Sequence, residues 1–477
     1  MKLKPYQETG RDFLAARQAA LLADEMGLGK TAQAITAAKL VNAKSVLVVC
    51  PASLKLNWSD EFDLWWGADL HWDIQIVTGT KAFLRLSPKT TLVTVVNYAL
   101  INHPNIFAQL ARMRFDVGIF DEAHYLKTRT AGRTKALLNK GGLASRCTHK
   151  WFLTGTPVLN RPVELYPILK ACCPQAIKPY TTHTSFAKEF CDGYWAKIQV
   201  RIPKSTKRRT VYQMHDQGAS NTDELSRRLR QDFMLRRLKS EVLPQLPPRT
   251  YQLIPMPSPS SKVSELVERE LLFTAGDAMK TDLPFTGSDL AILRHDLALA
   301  KLPTALQLIN DTLAQADKLV VFAYHRDVLE ALNKSLEAYQ PVLTMGGVSA
   351  KKKHWNVDQF QNDPDTRLFI GQITAAGTGI TLTAAHQVLF VESSWVPGEI
   401  DQAVDRVHRI GQDEPVEARF LVIKNSLEEN MLKSVIDKKK VINSIVNPIV
   451  NPFLKDVVLL AITDVLTKID EQKETKL

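Results

Sequence analysis

The sequence has no long hydrophobic run. Its longest uncharged apolar stretches, such as Val457-Val-Leu-Leu-Ala-Ile462 and Val46-Leu-Val-Val-Cys50, fall far short of the ~20 residues a membrane-spanning helix needs, so no bilayer crossing is expected. Met1-Lys-Leu-Lys-Pro-Tyr-Gln7 carries positive charge with no apolar segment behind it, so no secretory signal is expected either. Cysteine is scarce and odd in number. Cys50, Cys147, Cys172, Cys173 and Cys191 contain no Cys-x-x-Cys pair, which fits a reduced compartment, offers no metal cage and leaves Cys172-Cys173 as packing residues. Acidic residues are in deficit, 50 Asp and Glu against 61 Lys and Arg, giving a net charge of +11. That surplus suggests a polyanionic partner without specifying a fold. What remains is ordinary globular material, 45% hydrophobic and 23% charged, in a 477-residue chain long enough for two to four domains at roughly 100–200 residues each.

From residue 19 to about 160, short β-branched runs alternate with helical patterns. Ala19–Leu22, Ser45–Cys50, Thr91–Val96, Val117–Phe120 and Lys150–Leu153 read as strands apolar on both faces, as in a parallel sheet covered by helices. A second set follows at Lys318–Phe322, Pro341–Thr344, Arg367–Ile370, Gln387–Val391 and Ala418–Ile423. The expected fold is therefore α/β, with two lobes: residues 1–165 and residues 301–440. Residues 166–300 read as helical insertions and linker, including a helix over Asn221–Leu235 capped by Asn221 or Thr222, with Pro-rich connectors at Leu243–Pro248 and Pro255–Pro259. Residues 441–477 carry the repeat Ile445-Val-Asn-Pro448 and Ile449-Val-Asn-Pro452, then an amphipathic stretch read as a helical brace.

Three constellations carry chemistry. Asp24-Glu-Met-Gly-Leu-Gly-Lys-Thr31 lies between a strand and a helical run, where backbone amides can wrap phosphate oxygens, Lys30 can meet the β and γ phosphates and Thr31 can hold Mg²⁺. By itself it could also be a plain turn, since Asp24 stands where the general phosphate-loop pattern has glycine. Asp121-Glu-Ala-His124 directly follows a strand, so Asp121 can position Mg²⁺ and Glu122 can polarise a water; a solvated acidic turn would explain the acids equally well. In Gln402-Ala-Val-Asp-Arg-Val-His-Arg409, Arg406 and Arg409 are three apart, so on a helix both face one way, suited to a γ-phosphate; the alternative is a solvated face paired with Asp401 and Asp405.

Taken together with Lys4-Pro-Tyr-Gln7, Cys50-Pro-Ala-Ser53, Asn57-Trp58, Lys127, Leu153-Thr-Gly-Thr-Pro157, Asn160 and the run Gln402–Gln412, these residues resemble the Swi/Snf family of superfamily-two ATPases in order and spacing. Asp24 fits, since that family writes its phosphate loop this way. Gly218-Ala-Ser-Asn221, Met234-Leu-Arg-Arg-Leu-Lys239, Val321–His325 and Thr374–Ala385 look most like the HepA-related annealing-helicase branch.

The resemblance implies two RecA-like P-loop lobes that hydrolyse ATP with Mg²⁺ in the cleft between them and move along double-stranded or branched DNA. It places the nucleotide on Gln7, Asp24, Glu25, Met26, Gly27, Leu28, Gly29, Lys30, Thr31, Gly379, Arg406 and Arg409, the metal on Thr31 and Asp121, and catalysis on Lys30, Asp121, Glu122, Arg406 and Arg409. The implied DNA-facing positions are Pro51, Ala52, Ser53, Thr154, Thr156, His325, Thr378, Gly379 and Trp395. A strand-separating helicase, or a DNA-binding scaffold with a vestigial ATPase, are the rival readings. The expected working form is a monomer close to a bare motor, cytoplasmic in a bacterial or phage-infected cell and nuclear in a eukaryote.

The chain departs from the family at Lys351-Lys-Lys-His354, where an arginine is common; charge is kept and fork geometry is not. Two basic clusters stand out, Arg201, Lys204, Lys207, Arg208 and Arg209, and then Arg227, Arg228, Arg230, Arg236, Arg237 and Lys239. The first is also compatible with a solvated loop. Neither interleaves aromatics along the chain, so no base-stacking platform is expected.

Overall fold

The computed structural model describes residues 2–66, 72–85, 91–157, 161–201, 208–216, 218–256, 287–376, 380–394 and 396–424, with isolated positions in 261–267 and 426–432. The chain forms two compact units that divide between Val242 and Leu243. Each is built on a parallel sheet.

The first unit contains β1 (Ala19–Leu22), β2 (Ser45–Cys50), β3 (Trp72–Ile76), β4 (Thr91–Asn97), β5 (Phe115–Asp121), β6 (Cys147–Leu153), β7 (Tyr194–Arg201), β8 (Arg208–His215) and β9 (Met234–Leu235). Seven of them make one sheet in the order β3-β4-β2-β5-β6-β1-β9, all parallel. Successive strand residues point to opposite faces, and both faces are covered. In β2, Leu47 and Val49 join a core with Phe120, Phe152 and Phe233, while Val46 and Val48 join Trp58, Phe62, Ile119 and Trp151 on the other side. This two-sided burial makes β2, β4 and β5 continuous apolar runs. β7 and β8 form a separate antiparallel hairpin.

The second unit contains β10 (Arg249–Met256), β11 (Leu319–Ala323), β12 (Val342–Thr344), β13 (Leu368–Gln372), β14 (Gln387–Phe390) and β15 (Val416–Ile423). They form a parallel sheet in the order β10-β15-β14-β11-β13-β12. Val320, Phe322, Phe390 and Phe420 face one core, and Leu319, Val321, Leu389 and Leu421 the other. Both units are thus RecA-like α/β lobes.

The region read as helical also holds strands. The helix expected over Asn221–Leu235 ends at Asp232, and Met234-Leu235 turns instead into β9 at the first sheet's edge. Asn221 is its N-cap residue, in the left-handed region and without a side-chain cap bond. β7, β8 and β10 were not expected as strands. Pro255, taken as connector, lies inside β10, which is tolerated because β10 is an edge strand with one side free of ladder bonds. No helix among the described residues is long and apolar enough to cross a membrane. The 441–477 tail, with its tandem repeat and expected brace, lies outside the described residues.

Candidate functional site

Three neighbouring strands end at the same level. Leu22 of β1 and Asp121 of β5 both pair in register with Leu153 of β6, so the segments after β1, β5 and β6 emerge side by side at the carboxyl edge of the first sheet. Loops at this edge are where an open parallel sheet holds its ligand.

The segment after β1 is the glycine-rich loop. Gly27 and Gly29 have φ of +82° and +73°, a region L residues rarely adopt, and a β-carbon on Gly29 would lie 2.3 Å from Gln7 Nε2. Gln7, near the start of the helix Pro5–Ala15, is packed onto the loop, with its amide donating to Leu28 O at 3.3 Å and accepting from Lys4 N at 2.9 Å. Lys30 opens the helix Lys30–Leu40, and its ammonium spans the loop to Asp24 O at 2.8 Å and Glu25 O at 3.3 Å. Burial pushes the Lys30 pKa down, against the pull of Glu122, Asp24 and Asp121. Met26 and Leu28 face inward and are buried.

The segment after β5 supplies the acids. The Asp121 carboxylate accepts from Trp58 Nε1 and from the Glu122 amide, both at 2.9 Å, while its backbone oxygen accepts from the Tyr98 hydroxyl at 2.7 Å. Burial and the Glu122 charge push Asp121 up to about 6, and the Trp58 and amide bonds pull the other way. Glu122 sits at φ 49° and ψ 53°, a left-handed conformation that fixes its carboxylate just beyond the strand. Its Oε2 lies 3.2 Å from His124 Nδ1, which is 3.3 Å from Thr154 Oγ1, and the Thr156 amide donates to that oxygen at 3.2 Å. A continuous polar path thus runs from Glu122 through His124 to both threonines after β6.

One support was not read from the sequence. Residues 233–239 run beside β1: the Leu21, Ala23 and Glu25 amides donate to Phe233, Leu235 and Arg237 carbonyls at 2.7–3.0 Å. Arg236 reaches Ala23 O at 2.6 Å and Gly155 O at 3.0 Å, tying the glycine-rich loop to the segment after β6. Arg237 pairs with the fully buried Asp24 carboxylate and also donates to Gln33 Oε1 at 2.9 Å and to Tyr6 O. The Lys239 amide donates to Glu25 Oε2 at 2.7 Å. Asp24 and Glu25 therefore turn their carboxylates to these braces. In the sequence only the run Met234–Lys239 marks this brace, and it carries no sign of its partners.

Pro51, Ala52 and Ser53 follow β2 at the same edge of the sheet, with Ala52 exposed. In the second unit, His325 ends the turn after β11, its Nδ1 lying 2.6 Å from Glu392 Oε1. Burial pushes Glu392 up, but His325 and the Tyr324 and His325 amides hold it below the usual carboxylate range. Arg406 and Arg409 are not on a helix: the helix Pro397–Val404 ends with Asp405 as its C-cap, and Arg406 and Val407 donate amides three residues back, so the chain winds as turns up to Gly411 at φ +94°. Arg406 Nε donates to Gln402 O at 3.2 Å and Arg409 to Ile380 O at 3.2 Å. Lys353, in the lysine run that departs from the family, donates to Ala375 O at 2.6 Å and is pushed down to about 8 by burial and by Arg406. Asn160, Lys204, Lys207, Thr378, Gly379 and Trp395 lie outside the described residues.

The donor set fits a cation shared with phosphate. Among the described residues no three His, Cys, Asp or Glu side chains form a metal cage, whereas a small hard divalent ion bound with a nucleotide needs only one or two carboxylates and a hydroxyl beside the phosphate oxygens. Asp121, desolvated beside Glu122, supplies such a carboxylate, and Thr31 follows Lys30 in the first turn of the helix Lys30–Leu40.

The SNF2-related domain matches residues 6–269, and the helicase conserved C-terminal domain matches residues 300–411. The chain is 35% identical over 460 residues to the DNA annealing helicase and endonuclease ZRANB3 of Homo sapiens, covering 93% of this chain and 40% of that protein. It is 31% identical over 449 residues to the SWI/SNF-related matrix-associated actin-dependent regulator of chromatin subfamily A-like protein 1 of Xenopus tropicalis, covering 92% and 44%. It thus spans about two fifths of the length of these curated relatives. A solved structure, the Sulfolobus solfataricus SWI2/SNF2 ATPase core in complex with dsDNA, aligns over 94% of this chain and 93% of that one, at 23% identity and a TM-score of 0.42.

Proposed function

The chain belongs to the SNF2-related family of ATPases, and we propose that it is an ATP-driven translocase on double-stranded DNA, working as a monomer on branched DNA in replication, recombination or repair. The observation that carries this reading is the alignment of three strand ends, which sets the phosphate loop, Asp121-Glu122 and Thr154–Thr156 side by side. The relatives' names, an annealing helicase among them, support DNA as the track.

In this reading Gln7 meets the adenine, while Gly27, Gly29, Lys30 and Thr31 hold the phosphates at a helix N-terminus. Mg²⁺, held by Thr31 and Asp121, neutralises phosphate charge when bound. Glu122 orients the attacking water and accepts its proton, its left-handed conformation holding the carboxylate just beyond β5. Arg406 and Arg409 bring positive charge to the γ-phosphate, a role worth ~10³–10⁵ in rate in phosphoryl transfer. The Glu122–His124–Thr154–Thr156 path links hydrolysis to the DNA-facing threonines. DNA contacts go mainly to phosphate and ignore sequence.

ATP turnover is expected to rise strongly with duplex or forked DNA, and a triplex-forming strand to be displaced in an ATP-dependent way with no separation of the duplex. Greater stimulation by RNA, or unwinding without displacement, would remove the translocase reading. A second expectation concerns pH. Asp121 must be charged to take up its cation, and its pKa in the metal-free site is raised to about 6, so at limiting Mg²⁺ turnover falls as pH drops through about 6, well above the range of an ordinary aspartate. Trp58→Phe removes the indole donor that pulls Asp121 down. It should move this acid limb upward and cut turnover at neutral pH by roughly tenfold, the worth of one hydrogen bond to a charged group. Initial rates across roughly pH 5–8 check this; an unmoved limb would assign the titration to another group.

A further inference from the structure

The hairpin β7–β8 belongs to neither large sheet, and the ATPase reading leaves it without a role. Its sequence, Tyr194 to His215, contains Lys197, Arg201, Lys204, Lys207, Arg208 and Arg209 and not one Asp or Glu. These 22 residues carry six positive charges within a chain whose whole surplus is eleven. The antiparallel register does what the linear sequence could not: it interleaves aromatics with this charge. Trp195 pairs with Met214 and Lys197 with Tyr212, so Trp195, Lys197, Tyr212 and Thr210 share one face. Trp195 is 51% exposed and Tyr212 67% exposed, although large aromatics gain most from burial. The aromatics missing from the basic clusters along the chain are thus supplied across the strands.

The hairpin is also held as a presented element. A two-stranded ribbon is marginal by itself, but this one is pinned at its base. The Gly193 amide donates to Ala187 O, and a β-carbon on Gly193 would press within 2.6 Å of the Ala187 backbone. Ser220 bonds both the Asp192 amide and Glu189 O at 3.0 and 2.6 Å, and Asn221 holds Glu189 Oε1 at 2.9 Å. Met214 packs on the core of the first unit. The run Gly218–Asn221 therefore clamps the hairpin's foot, and on the aromatic face Met214 leans on the core while Trp195 and Tyr212 remain exposed.

We propose that the Trp195–Lys197–Tyr212 face of this hairpin binds unpaired DNA bases at a branch, stacking them on the two aromatics while Lys197 between them meets the strand's phosphate. It rests on the translocase reading for the choice of DNA, and it gives that reading its substrate preference. The charge is complementary to a phosphodiester chain, and exposed rings beside cations are the surface that unpaired bases need, since every base offers a π-face. A paired duplex, its bases already stacked, would use only the charge.

The test is fluorescence anisotropy with the full chain on a blunt duplex and on a fork of equal length carrying unpaired arms. The wild type should favour the fork, and Trp195→Ala/Tyr212→Ala should lose roughly 10- to 100-fold in fork affinity, the worth of one or two stacked bases. Blunt-duplex affinity and DNA-free ATP turnover should not change. Trp195→Phe/Tyr212→Phe, which keeps the rings, should restore fork binding. Equal loss on both DNAs, no loss on either, or failure of the Phe variant to rescue would overturn the proposal. So would competition by polyglutamate that matches an unlabelled single strand, because the face would then be an acidic-peptide site. A wild type that binds forks but whose ATP turnover ignores DNA would sink the translocase reading alone.

Discussion

Glu122→Gln leaves the protein folded and able to bind nucleotide, and lowers DNA-stimulated ATP hydrolysis by on the order of 10²–10⁴, the usual worth of a positioned general base. Glutamine has the same shape, so the core around β5 and the polar path to His124 keep their packing; what is lost is the capacity to take a proton from water. The choice of Glu122 over Asp121 follows from their partners. Asp121 is fixed on both oxygens, by Trp58 and by the Glu122 amide, and so is positioned to hold a cation. Glu122 is held by an unusual backbone geometry just beyond β5, with its Oε2 turned toward His124 on the way to Thr154. Single-turnover phosphate release at saturating DNA, with salt-dependent DNA binding as the control, measures the effect. A variant within about fivefold of wild type would move the base to another group. Combining it with Lys30→Ala should cost little more than the larger single effect, because residues acting on one transition state are not additive.

How much of this was legible in the sequence depended on where each residue's partner lay. β2, β4 and β5 were readable because burial on both faces writes a continuous apolar run, and Lys30, Asp121 and Glu122 because phosphate chemistry demands those residue types at strand ends. Edge strands other than β12 were not readable. In β3, Trp72-Asp-Ile-Gln-Ile76 is only partly buried, β9 is two residues long, and β10 carries Pro255, so none presents the two-sided pattern. The spacing of Arg406 and Arg409 suggested a shared helix face, but spacing does not reveal that the helix has already ended at Val404. The aromatic and basic residues of the hairpin are separated along the chain and meet only across strands. The brace on the phosphate loop was the least visible, since Arg237 and Asp24 stand 213 positions apart.

That brace sets the largest effect on stability. Arg237→Ala is expected to destabilise the first unit by about 3–5 kcal/mol, because it strands a carboxylate that no water reaches. Asp24 is 0% exposed, and its two oxygens are satisfied by Arg237, at 3.0 Å through Nε and again through a terminal nitrogen, with Gln33 Nε2 adding a bond at 3.2 Å. Gln33 is neutral and cannot replace the charge. The same guanidinium also holds Tyr6 O, one residue from Gln7, and lies over the Tyr6 ring at 5.4 Å. Burial and the Asp24 charge together push the Tyr6 phenol up to about 12, with Arg237 the opposing influence. Losing Arg237 thus loosens both the loop and the helix that presents Gln7, so the KM for ATP should rise together with the drop in stability. For a lobe of this size the unfolding transition assigned to the first unit should fall by roughly 10 °C in calorimetry. Arg237→Lys should rescue only in part, since an ammonium cannot match a carboxylate through two parallel bonds. The decisive comparison is Asp24→Asn/Arg237→Ala: with no buried charge left to strand, the double variant should be more stable than Arg237→Ala alone. If it is less stable, the pair is not what holds the phosphate loop, and the loss would have to come from the contacts of Arg237 with Gln33 and Tyr6.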